Sequence, residues 1–290
     1  MKHLYALEPH NFCGVEDMTF EKSKVVVLPV PYDSTTYYRA GTRDGPDAII
    51  DASRHMELYD MEFECEPVYE VGIFTLEGLA PSKKSPEDTI KRVQEVLGEV
   101  VEAGKFPLML GGEHSITLGA AKALKQKYKE ISVLQIDAHA DLRDELDGTR
   151  FGHACVMRRT REICKNVVQV GIRSICIEEA EFIKKNKLSN CVFTPEKFDV
   201  DAIMEKLGND VYLTIDLDGF DPSEMPAVGT PVSNGLRLKE VFPLLKRVAR
   251  EKNLVGFDVV ELAPIPGFVS ADCFAAELAY KVIGYKFTKK

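Results

Sequence analysis

The stretch VLQIDAHADLRDELDGTRFGHA, residues 133–154, runs from an apolar segment straight into ionisable side chains. Val133 to Ile136 reads as the end of a buried strand, and Asp137, His139 and Asp141 follow at alternate positions. In an extended backbone alternate side chains share a face, so these three are expected to project to one side. Two carboxylates and an imidazole crowded at the end of a buried strand are costly unless something binds them.

Outward from this stretch, short β-branched runs recur at 24–30, 68–74, 106–110, 131–136, 166–172, 191–194, 211–215 and 254–260. Helical patterns lie between most of them. In SPEDTIKRVQEVLGEVVEAG the apolar residues Ile90, Val93, Leu97, Val100 and Val101 recur every three or four positions, and Gly104 ends the pattern. Leu238, Val241, Phe242, Leu245 and Val248 repeat the design. Strands alternating with helices predict an α/β fold with a parallel sheet, either a closed barrel or an open three-layer sheet. No repeat, low-complexity segment or linker divides the chain, so residues 1–290 read as a single domain.

In both architectures ligands bind beyond the carboxyl ends of the strands. Three strand ends carry chemistry. FPLML is followed by GGEHSIT with His114, ISVLQI by Asp137, His139 and Asp141, and VYLTI by Asp216 and Asp218. A lone Asp after a strand is ordinarily a turn or capping residue. Three such ends on one sheet edge instead bring six potential ligands together. The set holds no thiolate and suits hard or borderline ions, Mn²⁺ above all. Two divalent ions about 3.5–4 Å apart repel by on the order of 20 kcal/mol at an effective dielectric of about 20. Four aspartates neutralise that charge.

The composition narrows the classes. Of 290 residues, 45% are hydrophobic and 29% charged, enough apolar material for a large core. A net charge of -9 argues against nucleic-acid or anionic-membrane partners. The seven scattered cysteines form no CxxC pair, which points to a reducing, cytoplasmic setting. The first twenty residues lack the apolar core of a signal peptide, and no run is long enough to span a membrane.

GGEHSIT, DAHADLRDE, TIDLDGFDPSEMPAVGTP and GFDVVELAP resemble, in order, the motifs of the ureohydrolase family, the arginases and agmatinases. The resemblance spans residues 25–285. It implies a three-layer α/β/α sandwich around a mostly parallel eight-stranded sheet. It also implies two Mn²⁺ ions on His114, Asp137, His139, Asp141, Asp216 and Asp218. His153, in RFGHACVMRR, matches a histidine at the mouth of the family's site that shuttles protons. Glu261, in DVVELAP, matches the glutamate that pairs with the substrate guanidinium, and Asp141 would pass a proton to the leaving amine.

The substrate so implied is a small cationic guanidino compound, and the assembly a homo-oligomer, trimer or hexamer. Arginases follow the DxHxD triplet with an Asn-containing segment that grips an α-carboxylate. LRDELDGTRFGHACVMRR resembles agmatinases instead, so agmatine, yielding urea and putrescine, is the expected substrate. Aminopropylagmatine, guanidinobutyrate and arginine are the alternatives. PVSNGL (231–236) departs from the paired glycine of many agmatinases, which bears on the substrate tail if that loop borders it. The upstream segment YDSTTYYRAGTRDGPDAI resembles the family's RxGxRxGPxAI, and Gly45-Pro46 there reads as a helix start. This segment is expected to serve structure or an oligomer interface, not chemistry. A non-catalytic metal-binding module would need no Glu261, and a deacetylase-like amidohydrolase holding one zinc would need fewer carboxylates.

Overall fold

A computed structural model describes residues 7–289. The first six residues, part of the segment on which the absence of a signal peptide was expected, lie outside them. Eight strands form one sheet in the order β2-β1-β3-β8-β7-β4-β5-β6, every neighbouring pair parallel. They are β1 (Val25–Val30), β2 (Ile73–Thr75), β3 (Phe106–Gly111), β4 (Ser132–Ile136), β5 (Asn166–Val170), β6 (Val192–Phe193), β7 (Asp210–Asp216) and β8 (Asn253–Val260). The expectation of a mostly parallel sheet is met by a fully parallel one, open rather than closed into a barrel.

Nine helices lie among the strands in the described residues. They are α1 (Gly45–Ser53), α2 (Pro67–Val71), α3 (Pro86–Glu102), α4 (Thr117–Lys127), α5 (Val156–Ile163), α6 (Ile177–Lys185), α7 (Val200–Lys206), α8 (Leu238–Glu251) and α9 (Ser270–Phe287). The expected helix after Ser85 forms because its hydroxyl accepts from Asp88 N at 3.3 Å and Pro86 occupies the first turn. Its apolar stripe then buries Ile90, Val93, Leu97 and Val101 against the sheet.

Side chains alternate across the sheet, as a fully buried parallel strand requires. Val211, Leu213 and Ile215 of β7 enter one core with residues of α1, α8 and α9, while Tyr212 enters the opposite core with residues of α3 and α4. Truncating one such core residue, Leu213 for example, to Ala costs about 2–5 kcal/mol.

The sequence reading fails at 68–74. Residues 67–71 are helical and only Ile73–Thr75 form a strand. Pro67 presets the first helical turn, and Gly72, at φ +73, ends the helix. β-branched content there served a buried helix face instead of a strand.

Candidate metal centre

The carboxyl ends of β3, β8, β7 and β4, four contiguous central strands, hold all the residues singled out above except His153. His114 opens a short 3-10 turn between β3 and α4. Its Nδ1 lies 3.1 Å from Asp137 Oδ2, 3.2 Å from Asp141 Oδ2 and 3.2 Å from Asp216 Oδ2. His139 Nδ1 lies 3.0 Å from Asp218 Oδ2 and 3.6 Å from Asp137 Oδ1. Two clusters of potential metal ligands result, His114–Asp137–Asp216 and Asp137–His139–Asp218, and Asp137 offers one oxygen to each.

The route to this convergence differs from simple strand alternation. β4 ends at Ile136, before the triplet. Asp137 Oδ1 accepts from His139 N at 2.6 Å, and Asp216 Oδ1 accepts from Asp218 N at 2.9 Å. Each aspartate thus folds its own strand end into a tight polar turn, and the two turns are side by side because β4 pairs with β7. A cross-link from Ala138 N to Asp218 Oδ1, 3.0 Å, joins them. Asp141 reaches His114 through a left-handed backbone, φ +52, a conformation uncommon for a residue with a Cβ and found where function constrains the chain.

Polar residues inside otherwise apolar strands support the centre from behind. Gln135 Nε2 donates to Asp137 Oδ2 at 2.6 Å, and Gln169 Nε2 donates to Gln135 Oε1 at 2.6 Å. Thr214 Oγ1 engages His114 Nε2 at 2.9 Å, and Thr117 Oγ1 donates to Asp258 Oδ2 at 2.8 Å. Gln135, Thr214 and Asp258 are all fully buried. Sequence reasoning missed all three, although a polar residue breaking an apolar strand two positions before Asp137 or Asp216 was a usable signal.

The charges point to a cation. Burial opposes the charged form of His114, but Asp137, Asp141 and Asp216 outweigh it and lift the imidazole well above its ordinary range. His139, opposed likewise by burial, is lifted to about 12, by the charge of Asp218 first. Burial and neighbouring carboxylates raise Asp216, and raise Asp141 to about 7. Burial would raise Asp137 too, yet its two histidine contacts hold it below the carboxylate range. His114 Nδ1 is buried without a hydrogen-bond partner while three carboxylate oxygens surround it. A nitrogen lone pair held there fits a divalent ion, and an all-nitrogen-and-oxygen donor set fits a hard or borderline one.

Above the clusters lies a cavity of about 420 Å³, bordered by His153 and Glu261 as well as His114, His139, Asp141 and Asp218. Glu261, at φ +67 beyond β8, accepts from His114 N at 2.7 Å through Oε1, and its own N–H donates to Gly112 O at 2.9 Å. Burial raises this carboxyl, against the pull of the His114 N–H. His153 begins the turn before α5 and is lowered to about 4, by burial first and then by the charge of His114 and His139.

Thr36, Tyr37, Tyr38 and Arg39, from the segment expected to serve structure or an oligomer interface, line the cavity wall. This placement was hidden because the residues reach the site from the loop after β1, far away in sequence. By contrast Gly229 and Thr230 border the cavity, whereas residues 231–236 of the departing loop do not. Arg173 holds that loop instead, donating to Val232 O at 2.7 Å and Ser233 O at 3.1 Å.

Residues 23–284 match the sequence pattern of the arginase family. The chain belongs to the arginase family. It is a ureohydrolase, a hydrolase acting on guanidino compounds. It is 40% identical over 288 residues to N(1)-aminopropylagmatine ureohydrolase of Synechocystis, covering 96% of this chain and 94% of that one. Agmatinase of Bacillus anthracis is 34% identical over 254 residues, covering 85% of this chain and 86% of the relative. The crystal structure of agmatine ureohydrolase of Thermoplasma volcanium superposes with a TM-score of 0.87 at 32% identity, covering 98% of this chain and 95% of that one. Among the described residues no helix is long and apolar enough to cross a membrane.

Proposed function

We propose that this ureohydrolase uses two Mn²⁺ ions to cleave the guanidinium of an agmatine-type amine, with N(1)-aminopropylagmatine as substrate and urea and spermidine as products. The observation that carries the reading is the pair of His–Asp clusters sharing Asp137 beneath a cavity that Glu261 borders. The sequence expectation was agmatine itself. The aminopropyl extension is preferred because the relatives with 38–40% identity bear that name, whereas the agmatinase of Bacillus anthracis stands at 34%. A cationic tail also suits the exposed rings of Tyr37 and Tyr38 at the rim. Arg39 and Arg143, both on the cavity wall, suit a carboxylate tail, so guanidinobutyrate is the second reading.

In this reading His114, Asp137, Asp141, Asp216, His139 and Asp218 hold the ions. When bound, the ions would supply a nucleophile by drawing the pKa of a coordinated water from about 15.7 toward 7, roughly 12 kcal/mol of activation. Glu261 holds the guanidinium flat by a charge-assisted contact through the oxygen that His114 N does not occupy. Asp141 moves a proton to the leaving amine, and His153 exchanges protons with solvent. The reading of the chain, residues 1–290, as one domain is supported by the described residues, whose strands all belong to one sheet. The seven scattered cysteines, none of them in a CxxC pair, suit a reducing cytosol. A trimer or hexamer rests on the family resemblance and is read by light scattering.

Urea release with added Mn²⁺ tests the substrate. The reading expects N(1)-aminopropylagmatine to give the highest kcat/KM, agmatine to follow, and arginine to be inert. Consumption of arginine or guanidinobutyrate with both amines untouched overturns it.

A further inference from the structure

We propose that Glu113 and Thr35 form a positioning relay that fixes which ring nitrogen of His153 carries the proton. The inference rests on the reading of His153 as the group that exchanges protons with solvent, and names what prepares it. Neither Glu113 nor Thr35 borders the cavity.

Gly112 makes the relay possible. A Cβ at that position would lie 2.1 Å from Tyr32 O, so only glycine lets the end of β3 press against the loop that follows β1. Glu113 N then donates to Tyr32 O at 2.7 Å, and the fully buried Glu113 side chain meets residues 34 and 35. Oε2 accepts from Ser34 N and Thr35 N, both at 2.7 Å. Oε1 accepts from Thr35 Oγ1 at 2.6 Å and from Ser115 Oγ. Backbone N–H groups can only donate, so this arrangement is built for a carboxylate.

The Thr35 hydroxyl has one proton and gives it to Glu113. Its lone pairs are left for His153, whose backbone N donates at 3.1 Å and whose Nδ1 stands at 3.3 Å. An oxygen whose proton is committed elsewhere can only accept from the ring, so Nδ1 bears the hydrogen. Nε2 is thereby the basic nitrogen, on a residue that borders the cavity beside His139 and Asp141. Glu113 and Thr35 thereby hold the ring with Nε2 free, in the way a buried carboxylate orients a general-base histidine elsewhere.

Nitrogen-15 NMR of histidine-labelled protein, with a diamagnetic divalent ion in place of Mn²⁺, reads the tautomer directly. The His153 signals are identified by their loss in His153→Gln. The expected spectrum shows a protonated Nδ1 and a bare Nε2 in the parent and in Thr35→Ser, and loss of that preference in Thr35→Val. In urea release, Thr35→Val lowers kcat about tenfold with KM and bound metal unchanged, while Thr35→Ser stays within about twofold of the parent. A protonated Nε2 in the parent, or a Thr35→Val protein with the parent's tautomer and kcat, overturns the relay. If the parent releases urea from no guanidino compound, the functional reading falls and the tautomer alone decides the relay.

Discussion

The two ligand clusters share Asp137 yet differ in depth. Around His114 the side chains are 1% exposed at the imidazole and 4% or less at Asp137 and Asp216, whereas the His139 imidazole is 27% exposed. The inner cluster is also closed behind by Thr214 on His114 Nε2, and of the two imidazoles bordering the cavity His139 is the more open. A cation in the inner cluster would be screened little and held by three carboxylates around one imidazole. One in the outer cluster would meet water and substrate. On the proposed reading this difference in depth implies a division of labour, in which the inner half would anchor and the outer half exchange, with Asp137 tying them.

The largest expected effect follows from removing that tie. Asp137→Ala takes a ligand from both clusters, so metal content falls for both and turnover drops roughly 10³-fold or more, read by elemental analysis and urea assay. His114→Ala and His139→Ala then separate the halves. The His139 variant regains rate as Mn²⁺ is raised, and the His114 variant does not; equal rescue of both would erase the distinction. His153→Ala lowers kcat about 10²-fold with normal metal content, because it removes proton transfer and no ligand. Loss of metal in that variant would contradict its assignment. Gln135→Leu removes the 2.6 Å donor behind Asp137 Oδ2 and weakens metal binding by about 10–100-fold, read by titration. The smallest effect is on stability. Chelation lowers Tm, since ion binding to the folded state contributes about 2.7 kcal/mol per site at a hundredfold excess over Kd. Unchanged Tm on chelation and reloading would mean that the crowded carboxylates need no cation.

Much of this was legible in the sequence, for physical reasons that differ by region. β4 and β7 could be read because buried parallel strands are apolar and short, and because Asp137 and Asp216 end them abruptly. Gly45 and Pro46 marked the start of α1 through proline's fixed φ, and the helix begins there. The segment 67–71 misled, since Val68 and Val71 suit a buried helix face as well as a strand and Pro67 and Gly72 decided between them. The six clustered groups were visible because they sit at or just after the ends of only three strands, β3, β4 and β7. Thr35, Tyr37 and Tyr38 were not, because the β1 loop reaches the site only through the close approach at Gly112, a tertiary fact that no local pattern encodes. Asp141 does lie beside His114, but a left-handed turn, not strand alternation, brings it there.

Electron paramagnetic resonance of the protein loaded with increasing Mn²⁺ tests the shared carboxylate most directly. The spectrum should pass to that of an exchange-coupled pair at two ions per chain, and Asp137→Ala should abolish the coupling. Saturation at a single ion, or two ions giving only isolated six-line signals, would contradict a centre joined through Asp137.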